Sequence, residues 1–382
     1  MHKFLMGTTA LAVAGFLVTP ASAAEWDISV GGYFIGGIAY TDAGEGDSNE
    51  FDFASDSEIQ FRPSITLDNG LTFGVDIDLD PEQNSDVNNN PDLIDEAFAY
   101  VQGGFGRFEL GQTYGVGAKL SVQIPGVVGH SVNNNDEYNM DPFDPYDVYT
   151  GLQWTSLRNR INTDLDFTND NTKLNYFTPS MNGFQAGLSY TPNPGKNDTG
   201  YGDWVYDDFA RDYWELAASW EWQVNNVLWR IFGGGGIGDS GESRDEPYEW
   251  SAGSMLRFGG FELYGVYTEH DTRYEYNMGD LFYDTKVQVT VAGSYQTGPW
   301  TFDLQGGRSE SGNHENDGFN NDRVDAQYDS YLAGITYQAG PGIEFGGGIQ
   351  HFAFDRDTHG NFTNNNFDTD GTSLFFGTKI GF

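Results

Sequence analysis

Ionisable side chains recur in this chain at a spacing of two. Asp76, Asp78 and Asp80 alternate with Val75, Ile77 and Leu79, and Glu215 and Glu221 alternate with Trp214, Leu216, Trp220 and Trp222. Arg62 falls between Phe61 and Pro63, and Arg107 and Glu109 flank Phe108. Successive side chains of a strand point to opposite faces, so these charges share one face and the apolar groups the other. The chemistry such a face offers is electrostatic: it attracts, repels or orients charged solutes beside it. Covalent chemistry has little to stand on. The six histidines, His2, His130, His270, His314, His351 and His359, show neither metal-ligand nor triad spacing. The absence of cysteine removes thiolate sites and disulfides.

Two further acidic groups deserve a chemical reading. Asp136, Glu137, Asp141, Asp144 and Asp147 lie in a proline-stiffened segment. Asp42, Glu45, Asp47 and Glu50 supply oxygen donors of the kind Ca²⁺ takes, as do Asp76, Asp78 and Asp80. Neither set has EF-hand spacing, and alternation along a strand separates carboxylates by about 7 Å. Ca²⁺ is therefore kept as a candidate structural ion, and no other cofactor is expected.

The charged faces need strands to carry them. Ile59 to Asp68 and Leu71 to Asp80 alternate strictly, and Trp214 to Val224 and Val287 to Tyr295 repeat the pattern. Seven tight breaks separate such segments: Asn69-Gly70, Gly103-Gly104, Met181-Asn182-Gly183, Asn225-Asn226, Gly259-Gly260, Thr297-Gly298-Pro299 and Ala339-Gly340-Pro341. Between them lie eight longer polar segments, near 42–50, 81–92, 115–171, 193–212, 239–247, 271–281, 310–325 and 356–368. Short turns and long loops in strict alternation predict sixteen antiparallel strands with both chain ends on the short-turn side. Closure of such a sheet removes its edges, as a lipid environment requires. The segment from Val148 to Phe167, with Trp154, Leu157, Ile161 and Leu165, reads either as a folded loop arm or as an added strand, which leaves eighteen strands open.

The chain opens with Met1-His2-Lys3, an apolar run from Phe4 to Val18 and Pro20-Ala21-Ser22-Ala23. That pattern predicts a cleaved secretory signal over 1–23 and one barrel domain over 24–382. Cleavage removes Lys3 and no acid, taking the net charge from −39 to −40. So negative a protein is no partner for nucleic acid. Beyond the signal no run reaches the roughly 18 apolar residues of a membrane helix. The 51 Gly, 29 Phe, 22 Tyr and 9 Trp suit aromatic-girdled strands joined by turns, with Phe105, Phe184, Phe258, Phe261 and Trp300 at the short-turn ends. The fold class is thus all-β, a transmembrane antiparallel barrel.

Four segments then carry a family resemblance. They are Val30-Gly31-Gly32-Tyr33; Leu67-Asp68-Asn69-Gly70-Leu71-Thr72-Phe73-Gly74; Asp95-Glu96-Ala97-Phe98 with Phe105 to Gln112; and Leu174 to Tyr190. With the terminal Phe382 they resemble the general-diffusion porins of Gram-negative bacteria, particularly those of alpha- and beta-proteobacteria. The resemblance implies a homotrimer of sixteen-stranded barrels in the outer membrane, in contact with its lipid and lipopolysaccharide. Long loops would face outward and short turns the periplasm. It also implies that the run ending in Phe382 is the signal read by the barrel-assembly machinery. The third long loop, 115–150, would fold inward as a constriction bearing Asp136, Glu137, Asp141, Asp144 and Asp147. Opposite it the family would place a basic wall, for which Arg62 and Arg107 are the candidates, with Lys173, Arg158 and Arg160 behind them. The family's denser arginine cluster is not evident here.

Parity also puts Arg230, Arg257 and Lys286 inside, with the carboxylates Asp76, Asp78, Glu109, Glu215, Glu221, Glu249 and Asp303. The expectation is passive diffusion of small hydrophilic solutes and ions with a preference for cations, set by the charges at the narrowest point. No catalytic residue is expected. A substrate-selective channel and a non-pore surface barrel or adhesin stay open. A phosphate channel would want a basic ladder, which is lacking. A sugar channel would want a lumenal aromatic run, of which only Tyr33, Tyr264 and Phe177 are candidates.

Overall fold

The computed structural model describes residues 25–42, 51–80, 94–133, 161–165, 167–194, 211–239, 246–271, 285–314, 323–359 and 367–382. Sixteen strands are formed: β1 (Asp27–Asp42), β2 (Phe51–Thr66), β3 (Thr72–Leu79), β4 (Ala97–Gly103), β5 (Gly106–Gln112), β6 (Thr172–Phe177), β7 (Phe184–Thr191) and β8 (Arg211–Val224), then β9 (Val227–Asp239), β10 (Tyr248–Phe258), β11 (Phe261–Asp271), β12 (Thr285–Thr297), β13 (Trp300–His314), β14 (Arg323–Gly340), β15 (Ile343–His359) and β16 (Phe367–Gly381). Each pairs antiparallel with its sequence neighbours, and β1 pairs with β16 from Tyr33–Gly381 to Asp42–Thr372, closing the barrel. Phe382 and Gly32 exchange backbone hydrogen bonds at 3.1 and 3.2 Å, so the last residue is locked to the first strand. No eighteen-strand arrangement forms. Ile161 to Leu165 lie in the third loop outside any strand.

All seven predicted tight breaks join strands at one rim. Their residue types follow from backbone geometry. Gly70 has φ +81°, and at Gly183, with φ +82°, a Cβ would lie 1.8 Å from the carbonyl oxygen of Glu221. Only glycine tolerates both the left-handed conformation and that approach.

The alternation resolves into an outside that is apolar and an inside that is polar, the inverse of a water-soluble protein. Leu216 is 65% exposed while the adjacent Glu215 is 2% exposed, and Leu304 at 67% adjoins Asp303 at 7%. A continuous apolar exterior of this extent is stable only against lipid or protein. Phe105, Phe184, Phe258, Phe261 and Trp300 all point outward at the short-turn rim, as a membrane-interface girdle requires. Pairs such as Phe258–Phe261 and Trp300–Tyr337 pack across neighbouring strands there, with ring centroids 5.7 and 4.6 Å apart.

The wall is uneven in height. β4 and β5 have seven residues and β6 six, whereas β13 to β16 have 15 to 18. At about 3.3 Å per residue and a tilt near 40°, seven residues rise only about 17 Å, less than the roughly 25 Å apolar band of an outer membrane.

Candidate functional site

The third loop leaves β5 at Thr113 and turns into the barrel, where the helix α1 (Val116–Leu120) forms its first arm. Five residues make too short a helix to stand alone. It holds because it is fastened to the wall: the Val116 N–H donates to Ser189 Oγ at 2.8 Å, and Arg230 Nη2 donates to the Leu120 carbonyl at 3.1 Å.

Beyond α1 the chain follows the inner wall. Gln305 Nε2 donates to the Pro125 carbonyl at 2.8 Å, and the Val132 N–H donates back to Gln305 Oε1 at 3.1 Å. His130 bonds Gln350 and lies 4.4 Å, ring to ring, from Phe375. On the return arm the Asn162 N–H donates to Gln288 Oε1 at 2.6 Å, Ser251 Oγ donates to the Thr163 carbonyl at 3.3 Å, and Thr168 Oγ1 donates to Glu215 Oε1 at 2.8 Å. The physical reason is an accounting one. An irregular segment inside a barrel has backbone groups that no ladder satisfies, and inward Ser, Gln and Glu side chains on the strands satisfy them. Apolar contacts complete the seat, with Val116, Leu120, Val122, Ile124 and Leu165 packed on Phe177, Ala217, Phe232, Met255 and Val266.

Beside this seat, β2 to β5 and α1 bring together a cluster of charges facing water. Arg62 Nε lies 2.8 Å from Asp76 Oδ1, and its Nη2 lies 3.4 Å from Asp78 Oδ2. Arg62 also bonds Gln60, which in turn bonds Glu58. Arg107 Nε is 2.7 Å from Glu109 Oε1 and its guanidinium stacks 3.8 Å over Tyr100. Lys119, the last-turn residue of α1, is 3.1 Å from Glu109 and 3.7 Å from Glu96, with its ammonium 4.2 Å over the Phe98 ring. Glu96 is oriented by Thr113 Oγ1 at 2.6 Å and the Tyr114 N–H at 2.9 Å. The side chains of Arg62, Arg107 and Lys119 are 43%, 29% and 22% exposed, so the cations reach solvent while Asp78 and Glu109 lie behind them.

This arrangement departs from the sequence reading in several places. Arg62 and Arg107 do stand on the lumenal wall, but each is paired with carboxylates of its own or the adjacent strand instead of forming a bare basic face. The loop, expected to bring acid, brings the cation Lys119 here. Lys173 was expected on the basic wall and is 1% exposed, its ammonium donating to the carbonyls of Thr168 and Asn169. Glu215 was expected to line the lumen and is 2% exposed, bonded to the Gly117 N–H at 3.3 Å. Both point inward as parity requires, and the loop covers them. Asp76, Asp78 and Glu109 belong to the charged cluster, while Glu221 is exposed near the short-turn rim. Asp136, Glu137, Asp141, Asp144, Asp147, Arg158 and Arg160 lie outside the described residues, as do Glu45, Asp47 and Glu50. Sequence reasoning missed Lys119, Glu58, Glu96 and Tyr100. One signal for Lys119 was available: it is the single Lys or Arg between Arg107 and Arg158.

A closed sixteen-stranded barrel, apolar outside, charged inside and partly filled by its third loop, defines an outer-membrane barrel of the pore-forming architecture. A family model for Gram-negative porins matches residues 7–357, and the chain belongs to that family. The fold is similar to that of an anion-selective porin from Comamonas acidovorans, at 13% identity and a TM-score of 0.57, over 94% of this chain and 100% of that one. It is also similar to in-vitro-folded OmpT, an outer membrane protein of Vibrio cholerae, in its trimer form, at 11% identity and a TM-score of 0.57, over 94% and 99%. Among curated proteins, an uncharacterized protein of Rickettsia bellii is 26% identical over 224 residues, 53% of this chain and 50% of its own length. One of Rickettsia felis is 29% identical over 102 residues, 25% and 23%. The chain thus spans half or less of the length of these curated relatives.

Proposed function

We propose that this porin passes small hydrophilic solutes and ions by passive diffusion and prefers cations. The observation that carries the preference is the charge balance of the wall cluster. Arg62, Arg107 and Lys119 face Glu58, Asp76, Asp78, Glu96 and Glu109, three cations against five carboxylates, for a net of −2 with all ionised. Charges that a permeating ion must pass at close range decide selectivity, whereas the many loop carboxylates outside are screened within about 8 to 10 Å. The acidic residues 136–147 would add to the same sign where the loop narrows the passage.

The low wall supports a homotrimer. With β4 to β6 too short to span the apolar band, their outward residues Ala99, Phe108, Leu110 and Leu174 are better covered by another copy than by lipid. In this reading the taller strands face lipid and lipopolysaccharide, and the terminal strand ending in Phe382 is the signal for the assembly machinery. A structural Ca²⁺ would sit with Asp42, Glu45, Asp47 and Glu50, of which Asp42 stands exposed at the outer end of β1. The Asp76 and Asp78 carboxylates already serve Arg62. An aromatic slide for sugars has less support, since Phe177 is buried under the loop.

Planar-bilayer recording of the refolded protein under a salt gradient tests the reading. Ohmic steps in groups of three with a cation-selective reversal potential are expected. Anion selectivity would overturn the charge argument, and an absence of steps would overturn the open channel.

A further inference from the structure

The described part of the third loop contains a tight turn beyond α1, and its chemistry is locally wrong. Val127 and His130 exchange backbone hydrogen bonds at 2.8 and 3.0 Å around Val128 and Gly129. Both central residues have positive φ, +46° and +92°. Asn-Gly is the pair that suits such a turn, and a β-branched valine is disfavoured in the left-handed region. The turn is nevertheless buried, with Val127 and Val128 at 0% and 1% exposed. Something outside the turn must hold it.

The barrel wall provides the hold. A Cβ built on Gly334 of β14 would have its three nearest atoms on Val127, the two methyls at 2.5 and 3.0 Å and the Cβ at 3.2 Å. A Cβ on Gly346 of β15 would come within 2.9 Å of a Val128 methyl. His130 completes the contact on β15 and β16 through Gln350 and Phe375. Neither Gly334 nor Gly346 has a positive φ, so the backbone itself does not demand glycine at these positions. What demands it is space: at Gly334 the space Val127 fills, and at Gly346 the space shared by the Val128 methyl, the Ile335 carbonyl at 3.0 Å and Thr336 Oγ1 at 3.2 Å. Valine is stiff at χ1, so its methyls cannot swing aside.

We propose that the turn 126–130 is the anchor of the third loop, seated by Val127 and Val128 in notches left by Gly334 and Gly346. These wall glycines then act as positioning residues for the pore's width without lining the passage. This rests on the channel reading above. It locates the determinant of loop position on β14 and β15, outside the charged cluster on β2 to β5.

Complementary substitution tests it. Gly334→Ala overfills the notch and raises the population of displaced loop on the order of tenfold, read as an altered unitary conductance and greater open-channel noise. Val127→Ala removes the two methyls that the new Cβ would meet, so the double variant returns both readouts to those of the parent. Heat-modified electrophoretic mobility shows that each barrel has folded, and Val127→Ala alone supplies a variant without overpacking. Unchanged conductance and noise in Gly334→Ala, or a double variant no closer to the parent than the single, overturns the anchor. A parent protein without ohmic steps refutes the channel reading itself, and the anchor's role in pore width with it.

Discussion

Replacing Lys119 by glutamine should make the channel more cation-selective by an amount that follows from its position. The ammonium belongs to a cluster of net charge −2, and its loss takes that cluster to −3 while leaving Glu96 and Glu109 without a cationic partner on α1. For an ion passing about 5 Å away in a wet lumen, one unit charge contributes about 0.8 kcal/mol, and screening over a Debye length of 8 to 10 Å reduces this to about 0.5 kcal/mol. Cations gain and anions lose by about that energy, a factor of roughly 2.3 each at RT near 0.6 kcal/mol, so the cation-to-anion permeability ratio should rise about fivefold. Reversal potentials under a tenfold salt gradient measure the ratio. Lys119→Arg, which keeps the charge, should leave it unchanged. Raising the salt on both sides should shrink the difference between Lys119→Gln and the parent, because the effect is coulombic. The reasoning fails if Lys119→Gln moves the ratio by less than about a factor of two, or if Lys119→Arg moves it equally.

Other expectations follow from burial and wall height. Burial pulls the pKa of His130 down to about 4, against the weaker opposing effect of its bond to Gln350. The docked loop therefore refuses a proton that the undocked loop accepts below about 6.5. Docking loses roughly 1.4 kcal/mol per pH unit between about 6.5 and 4 and is unaffected above that window. Open-channel noise should rise on acidification through this range, and His130→Asn should lack that increment; an identical pH response in the variant would refute it. Leu110→Arg, on the outward face of the short β5, should convert trimers to monomers in native electrophoresis if the low wall is the trimer interface proposed above. The matching change Val291→Arg, on the taller β12, should leave assembled trimers intact and lower the yield of inserted barrels; trimers surviving Leu110→Arg would sink the assignment of the interface.

How much of this was legible before folding can be judged residue by residue. Strand parity assigned Arg62, Asp76, Arg107, Glu109 and Glu215 to the inner face correctly, because a period of two is a local property of the backbone that lipid makes binding. Turn residues such as Gly70 and Gly183 marked one rim for the same local reason. Whether an inward group meets water was not local. Lys173 and Glu215 obey parity and are sealed by a loop whose course depends on contacts with β7 to β16, hundreds of residues away in some cases, as in His130 with Gln350. Lys119 was visible as a lone cation in its segment, yet its partners Glu96 and Glu109 are chosen only when α1 is fastened to Ser189 and Arg230. The sequence by itself determined the barrel, its sidedness and the sign of its charge, since composition, alternation and turn chemistry act over a few residues. Tertiary structure alone decided which charges face the passage. Pair distances of about 3 Å, which set their energies, exist only after the third loop has found its seat on the wall.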